Sequence, residues 1–105
     1  MSQPAVIVEQ DGPVLVVTLN RPEKKNAVNS EVMCRLYDAW LRLDQDEDLR
    51  VAILTGRGDT FCAGMDLAEI GKLRSGVIDN EWLERVRKEP HVIYGAWLKT
   101  HRPTK

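Results

Sequence analysis

The chain has 105 residues, 43% hydrophobic and 30% charged, with 15 basic against 16 acidic side chains and a formal net charge of −1. That length allows one domain at most, and the near-neutral balance gives no electrostatic footprint for nucleic acid or an anionic membrane surface. No stretch nears the ~18 apolar residues of a spanning helix, and Met1-Ser2-Gln3-Pro4 lacks the basic-then-apolar pattern of a secretory leader, so the expected location is cytoplasmic.

Val6-Ile7-Val8-Glu9 and Val14-Leu15-Val16-Val17-Thr18-Leu19 are β-rich runs separated by the turn signal Asp11-Gly12-Pro13, which predicts an N-terminal hairpin. Arg21-Pro22 ends the second strand, because proline cannot donate to a ladder. Asn29 or Ser30 is suited to cap a helix, and Val32, Met33, Leu36, Tyr37, Ala39, Trp40 and Leu43 then fall on one helical face. That helix is expected to end near Asp44, where an acidic run to Asp48 opens an exposed connection. Val51 to Thr55 reads as a central strand parallel to an earlier one, so strand, helix and strand form a right-handed crossover.

The loop Gly56-Arg57-Gly58-Asp59 carries the letters of a cell-adhesion ligand but reads as a turn, and it lacks the Gly-Lys-Ser/Thr ending of a P-loop. Asp66 to Ile70 opens a short helix broken around Ser75-Gly76. Asp79 or Asn80 caps a further helical segment whose apolar stripe is Trp82, Leu83, Val86, Ile93 and Trp97. Pro90 predicts a kink or break near Glu89. The three tryptophans read as core or subunit contacts rather than a ligand cage. Cys34 and Cys62 read as reduced thiols, and His91 and His101, with no metal-binding spacing around them, as solvent-facing side chains without a metal.

The chemistry-bearing stretch is Thr60-Phe61-Cys62-Ala63-Gly64-Met65-Asp66-Leu67, directly after a predicted strand. Ligands of open α/β sheets collect at the C-terminal edges of strands. Ala63-Gly64 has no bulky side chain and permits close approach to the main chain, and Asp66 suits the cap of the next helix. Backbone N–H groups presented there can hold a developing oxyanion. Asn26 is expected to stabilise its own turn by bonding nearby backbone. Glu69 reads as a solvated or rim residue, and no paired carboxylates can be assigned to acid/base work.

Two segments carry a family resemblance. Phe61-Cys62-Ala63-Gly64-Met65-Asp66-Leu67 resembles the Phe-x-Ala-Gly-x-Asp-Leu/Ile signature of the enoyl-CoA hydratase/isomerase (crotonase) superfamily. Leu19-Asn20-Arg21-Pro22-Glu23-Lys24-Lys25-Asn26-Ala27-Val28-Asn29 resembles that family's Leu-Asn-Arg-Pro-x-x-x-Asn-Ala-x-Asn segment. The resemblance implies an α/β fold, the N-terminal part of a crotonase-like ββα spiral, with residues 1–105 forming an incomplete domain. It implies an acyl-CoA thioester as partner, with coenzyme A as part of the substrate and no separate cofactor, and a parent that is a homotrimer or hexamer.

By the same resemblance, the Met65 N–H is one oxyanion-hole donor for the thioester carbonyl. Lys24, Lys25, Ala27, Ala63, Gly64, Asp66 and Leu67 border the coenzyme A moiety, and Asp66 can cap its helix as well. The second oxyanion turn and the acid/base glutamates are expected beyond residue 105, which makes this chain inactive alone. Hydration of a 2-enoyl-CoA is the parent reaction this implies. The alternatives are isomerase, hydrolase or decarboxylase chemistry, a non-catalytic CoA-binding or interaction module, and an incomplete product without function.

Overall fold

The structure is a computed structural model that describes residues 3–96. β1 (Val6–Asp11) and β2 (Val14–Leu19) form the expected hairpin, its two-residue turn made possible by Gly12 at φ +58°. Pairing runs from Val6 opposite Leu19 to Asp11 opposite Val14. A short 3-10 turn (Pro22–Lys24) follows, then α1 (Ser30–Gln45), and the chain returns as β3 (Val51–Gly56), parallel to β2. The sheet order is β1-β2-β3.

β2 is therefore the central strand, not β3. The apolar run Val51–Leu54 has the composition of a strand covered on both sides, yet it pairs with β2 alone among the described residues. Val51 and Ile53 accordingly stay 48% and 51% exposed.

The period of two in β2 sends Leu15, Val17 and Leu19 to one face, where all three are buried. Their partners Val8 and Val6 share that face. The stripe of α1 closes over it: Val32, Met33, Leu36, Ala39, Trp40 and Leu43 are buried in the same cluster. Burying one such side chain is worth about 1.5–3 kcal/mol, and Val86, Val92 and Ala96 extend the same cluster. The Asn29 side chain caps α1 by accepting from the Val32 N–H.

α2 (Leu67–Ser75) is capped by Asp66 and ends at Gly76, whose φ of +78° is the left-handed stop the sequence pointed to. α3 (Glu81–Lys88) is capped by Asn80. Pro90 then separates it from α4 (His91–Ala96). A bidentate Arg85–Asp38 pair, both contacts at 2.8 Å, holds α3 against α1. The Trp40 Nε1–H donates to the Ala96 carbonyl, tying in α4.

Trp40 is core, and Trp82 is half-buried beneath the Arg35 guanidinium at 4.8 Å. Trp97 and His101 lie outside the described residues. His91 is half exposed, edge-on to Tyr37. Both cysteines are free, and burial pushes the Cys34 thiol up to about 11, which keeps it unreactive. Among the described residues no helix is long and apolar enough to cross a membrane.

Candidate functional site

The two motif segments lie side by side. The Ala63 N–H donates to the Lys25 carbonyl at 3.0 Å, Val28 N–H to the Gly64 carbonyl at 2.8 Å, and Asp66 N–H to the Val28 carbonyl at 2.9 Å. These bonds make a short parallel ladder in which Val28 is bridged to Met65.

That register fixes the direction of one amide. In a parallel bridge one residue bonds through its own N–H and carbonyl, here Val28, while the other is straddled: the carbonyl before Met65 and the N–H after it face the partner segment, and its own N–H faces away. The Met65 N–H therefore points opposite to Val28, and among the described residues it donates to no protein acceptor. An unpaired N–H at a strand-to-helix turn is a donor available to a ligand.

Gly64 stands just before it with φ +102°, and an added Cβ would meet nothing within 4 Å. Close packing is thus not what requires glycine here. The backbone angle is, because L-residues avoid that region. Gly64→Ala is expected to cost about 1–3 kcal/mol and to move the Met65 amide, read as a lower urea midpoint and a displaced Met65 resonance. Met65→Leu keeps the backbone and nearly the volume, and should leave both close to wild type.

Asn26 does more than hold its own turn. Buried at φ +57°, it accepts from the Arg21 N–H at 2.8 Å and donates to the carbonyls of Arg57 at 2.9 Å and Thr60 at 2.7 Å. It thereby sews the segment after β2 to the loop after β3.

Glu69 is likewise not solvated. It is 6% exposed, and its Oε2 accepts from the Ser30 N–H, the first amide of α1. A carboxylate suits that end of a helix because the free N–H groups there concentrate positive potential. Glu69 thus joins α2 to the start of α1.

Asp66 caps α2 by accepting from the Ala68 and Glu69 amides, and its other oxygen meets Arg21 Nη2 at 3.2 Å. Burial pushes its carboxyl up, but the Arg21 guanidinium and the two amides outweigh burial and hold it below its usual 3.8. With a lowered folded value, the stabilisation is complete above the unfolded pKa and is lost as pH falls through the folded one. Arg21→Met should therefore shift the Asp66 carboxyl titration upward, measured by its 13C shift.

Lys24 and Lys25 have exposed side chains and no ion pair among the described residues, while their carbonyls hold Ala27 N–H and Ala63 N–H. Ala27 and Ala63 sit on the ladder edge, and the Leu67 side chain is 82% exposed. A polar cleft of about 330 Å³ opens beside Asp66, lined also by Arg21, Glu31, Glu69, Lys72 and Trp82, but not by Met65. Its three carboxylates are already engaged: Glu31 with the Ala5 amide and Arg35, Asp66 with Arg21, and Glu69 with Ser30. No cluster able to hold a metal ion is found among the described residues.

Sequence reasoning found the ladder residues and the caps. It missed Arg21, Gly56 and the burial of Glu69. Arg21 stands inside the first motif segment, and that position was the sequence signal that could have drawn attention to it, whereas Gly56 lies in the loop between the two segments with no pattern to mark it.

Residues 9–90 match the protein-family model described as enoyl-CoA hydratase/isomerase. An enoyl-CoA hydratase of Mycobacterium tuberculosis is 52% identical over 66 residues, which are 63% of this chain and 25% of that protein. The solved structure of an enoyl-CoA hydratase/isomerase from Mycobacterium paratuberculosis superposes with a TM-score of 0.70 at 31% identity, over 89% of this chain and 36% of that one. A 3-hydroxyisobutyryl-CoA hydrolase of Arabidopsis thaliana is 39% identical over 66% of this chain and 18% of its own length. In each case the match covers a minority of the relative's length, and the shared part is the three-stranded α/β portion of a crotonase-like fold.

Proposed function

Because this chain belongs to the enoyl-CoA hydratase/isomerase family, we propose that it supplies one backbone donor of an oxyanion site for an acyl-CoA thioester, the Met65 N–H. The observation that supports this reading is the Val28–Met65 bridge, which leaves that N–H without a protein acceptor among the described residues while holding the residues on either side. A hydrogen bond to the thioester oxygen stabilises the enolate formed when a proton moves at the α carbon or a nucleophile adds at the β carbon. Preorganisation by the ladder means the donor need not reorient as charge develops.

Hydration of a 2-enoyl-CoA is the reaction this reading favours, with the nucleotide end of coenzyme A near the exposed ammonium groups of Lys24 and Lys25. The cleft carboxylates are occupied by structural bonds, so none of the described residues is assigned the acid/base step. The chain alone is expected to bind acyl-CoA weakly and not to hydrate crotonyl-CoA above background.

A non-catalytic role in binding or association is favoured by one feature, the exposed apolar residues of β3. It predicts binding without turnover even in a longer chain. Calorimetric titration with acetyl-CoA tests the proposal: saturable binding at millimolar ligand is expected, and its absence contradicts the acyl-CoA reading of this chain.

A further inference from the structure

We infer that Arg21 is a positioning residue for the Met65 amide, acting as a two-pronged clamp across the ladder that aims it. The inference rests on the acyl-CoA reading above and names what makes that donor rigid.

A ladder this short is weak by itself. It joins two segments without regular structure, residues 25–29 and 60–66, and only two of its hydrogen bonds flank Met65 directly. Arg21 reinforces both sides at once. Its Nη1 donates to the Ala27 carbonyl, next to Val28, and its Nη2 meets the Asp66 carboxylate, next to Met65. One planar guanidinium therefore spans the immediate neighbours of both bridged residues.

The clamp is anchored at each end. The Arg21 N–H donates to Asn26 Oδ1, and the Arg21 carbonyl accepts from the Lys24 and Asn26 amides, so the root of the side chain is held just past β2. The other Asp66 oxygen is fixed by the first turn of α2. Both side chains are mostly shielded, at 15% and 18% exposure, which strengthens a charged pair relative to one in open solvent. The chemistry selects arginine: a rigid fork meets two acceptors in one plane, whereas an ammonium on a flexible stem satisfies one well.

The test uses the 15N-labelled chain with Arg21→Met and Arg21→Lys. A clamp predicts that Arg21→Met speeds hydrogen exchange at the Val28 and Asp66 amides at least about tenfold and displaces the Met65 resonance. Exchange at Val8 and Val17 in the hairpin should stay unchanged. Arg21→Lys should recover part of the protection at Asp66 but less at Val28. Unchanged exchange at Val28 and Asp66, or acceleration spread evenly over the hairpin, would overturn the inference. If Arg21→Met does not fold, Arg21→Lys decides by the same comparison. Acetyl-CoA added to the wild-type chain separates the two claims: an unmoved Met65 resonance defeats the thioester reading, while the exchange pattern alone judges the clamp.

Discussion

Asn26→Asp will destabilise the chain by about 3 kcal/mol, although the two side chains are nearly the same shape. The Asn26 amide donates to two carbonyls, Arg57 at 2.9 Å and Thr60 at 2.7 Å. Aspartate would place a negative oxygen against both and leave two acceptors in the interior without a donor. Asn26→Ala loses these two bonds and also the one accepted from the Arg21 N–H, which aspartate keeps, and it puts alanine at φ +57°, a region asparagine tolerates better, but it adds no repulsion. Urea unfolding of the three chains is expected to rank them wild type, then alanine, then aspartate. An aspartate variant as stable as wild type would mean that the node does not hold the two loops.

Gly56→Ala is the second large effect, at about 1–3 kcal/mol or more. A Cβ there would lie 2.4 Å from the Phe61 carbonyl oxygen, 2.8 Å from Asn26 Nδ2 and 2.9 Å from Phe61 Cα. Two of these are backbone atoms that cannot rotate away, so the end of β3 or the loop carrying Phe61 must shift. Because that loop leads into Ala63 and Gly64, the change should reach the ladder. Gly71→Ala is the control. It sits inside α2 with nothing within 4 Å of an added Cβ, and should stabilise by about 0.5–1 kcal/mol. Thermal unfolding with opposite shifts for the two variants is the expected outcome.

The contrast between these glycines shows what the amino-acid order reveals. Local chemistry was legible. Asn29, Asp66 and Asn80 are caps because a short polar side chain satisfies amides two or three residues on, a relation contained in a few residues of sequence. The stripe on α1 predicted its buried face for the same reason, since that period is a property of its own element.

What escaped was set by partners far along the chain. Glu69 looks like a surface carboxylate until α1 places Ser30 beside it, 39 residues away. Arg21 meets Asp66 across 45 residues. β3 has the composition of a central strand, and only the sheet order shows it at an edge among the described residues. Gly64 was noticed for its lack of a side chain, but its reason is a backbone angle, whereas the crowded glycine is Gly56, which no local pattern marks.

The Met65 N–H is the proposed donor to a thioester oxygen. The direct measurement follows the assigned Met65 amide in 15N–1H spectra during parallel titrations with acetyl-CoA and with free coenzyme A. The two ligands share the nucleotide and pantetheine, and only the first has the carbonyl. A downfield move of the Met65 proton is expected with acetyl-CoA and not with free coenzyme A, with smaller changes at Val28 and Asp66, whose amides are already bonded in the ladder. A Met65 resonance that stays in place while other amides report acetyl-CoA binding, or that moves equally with both ligands, would contradict that role.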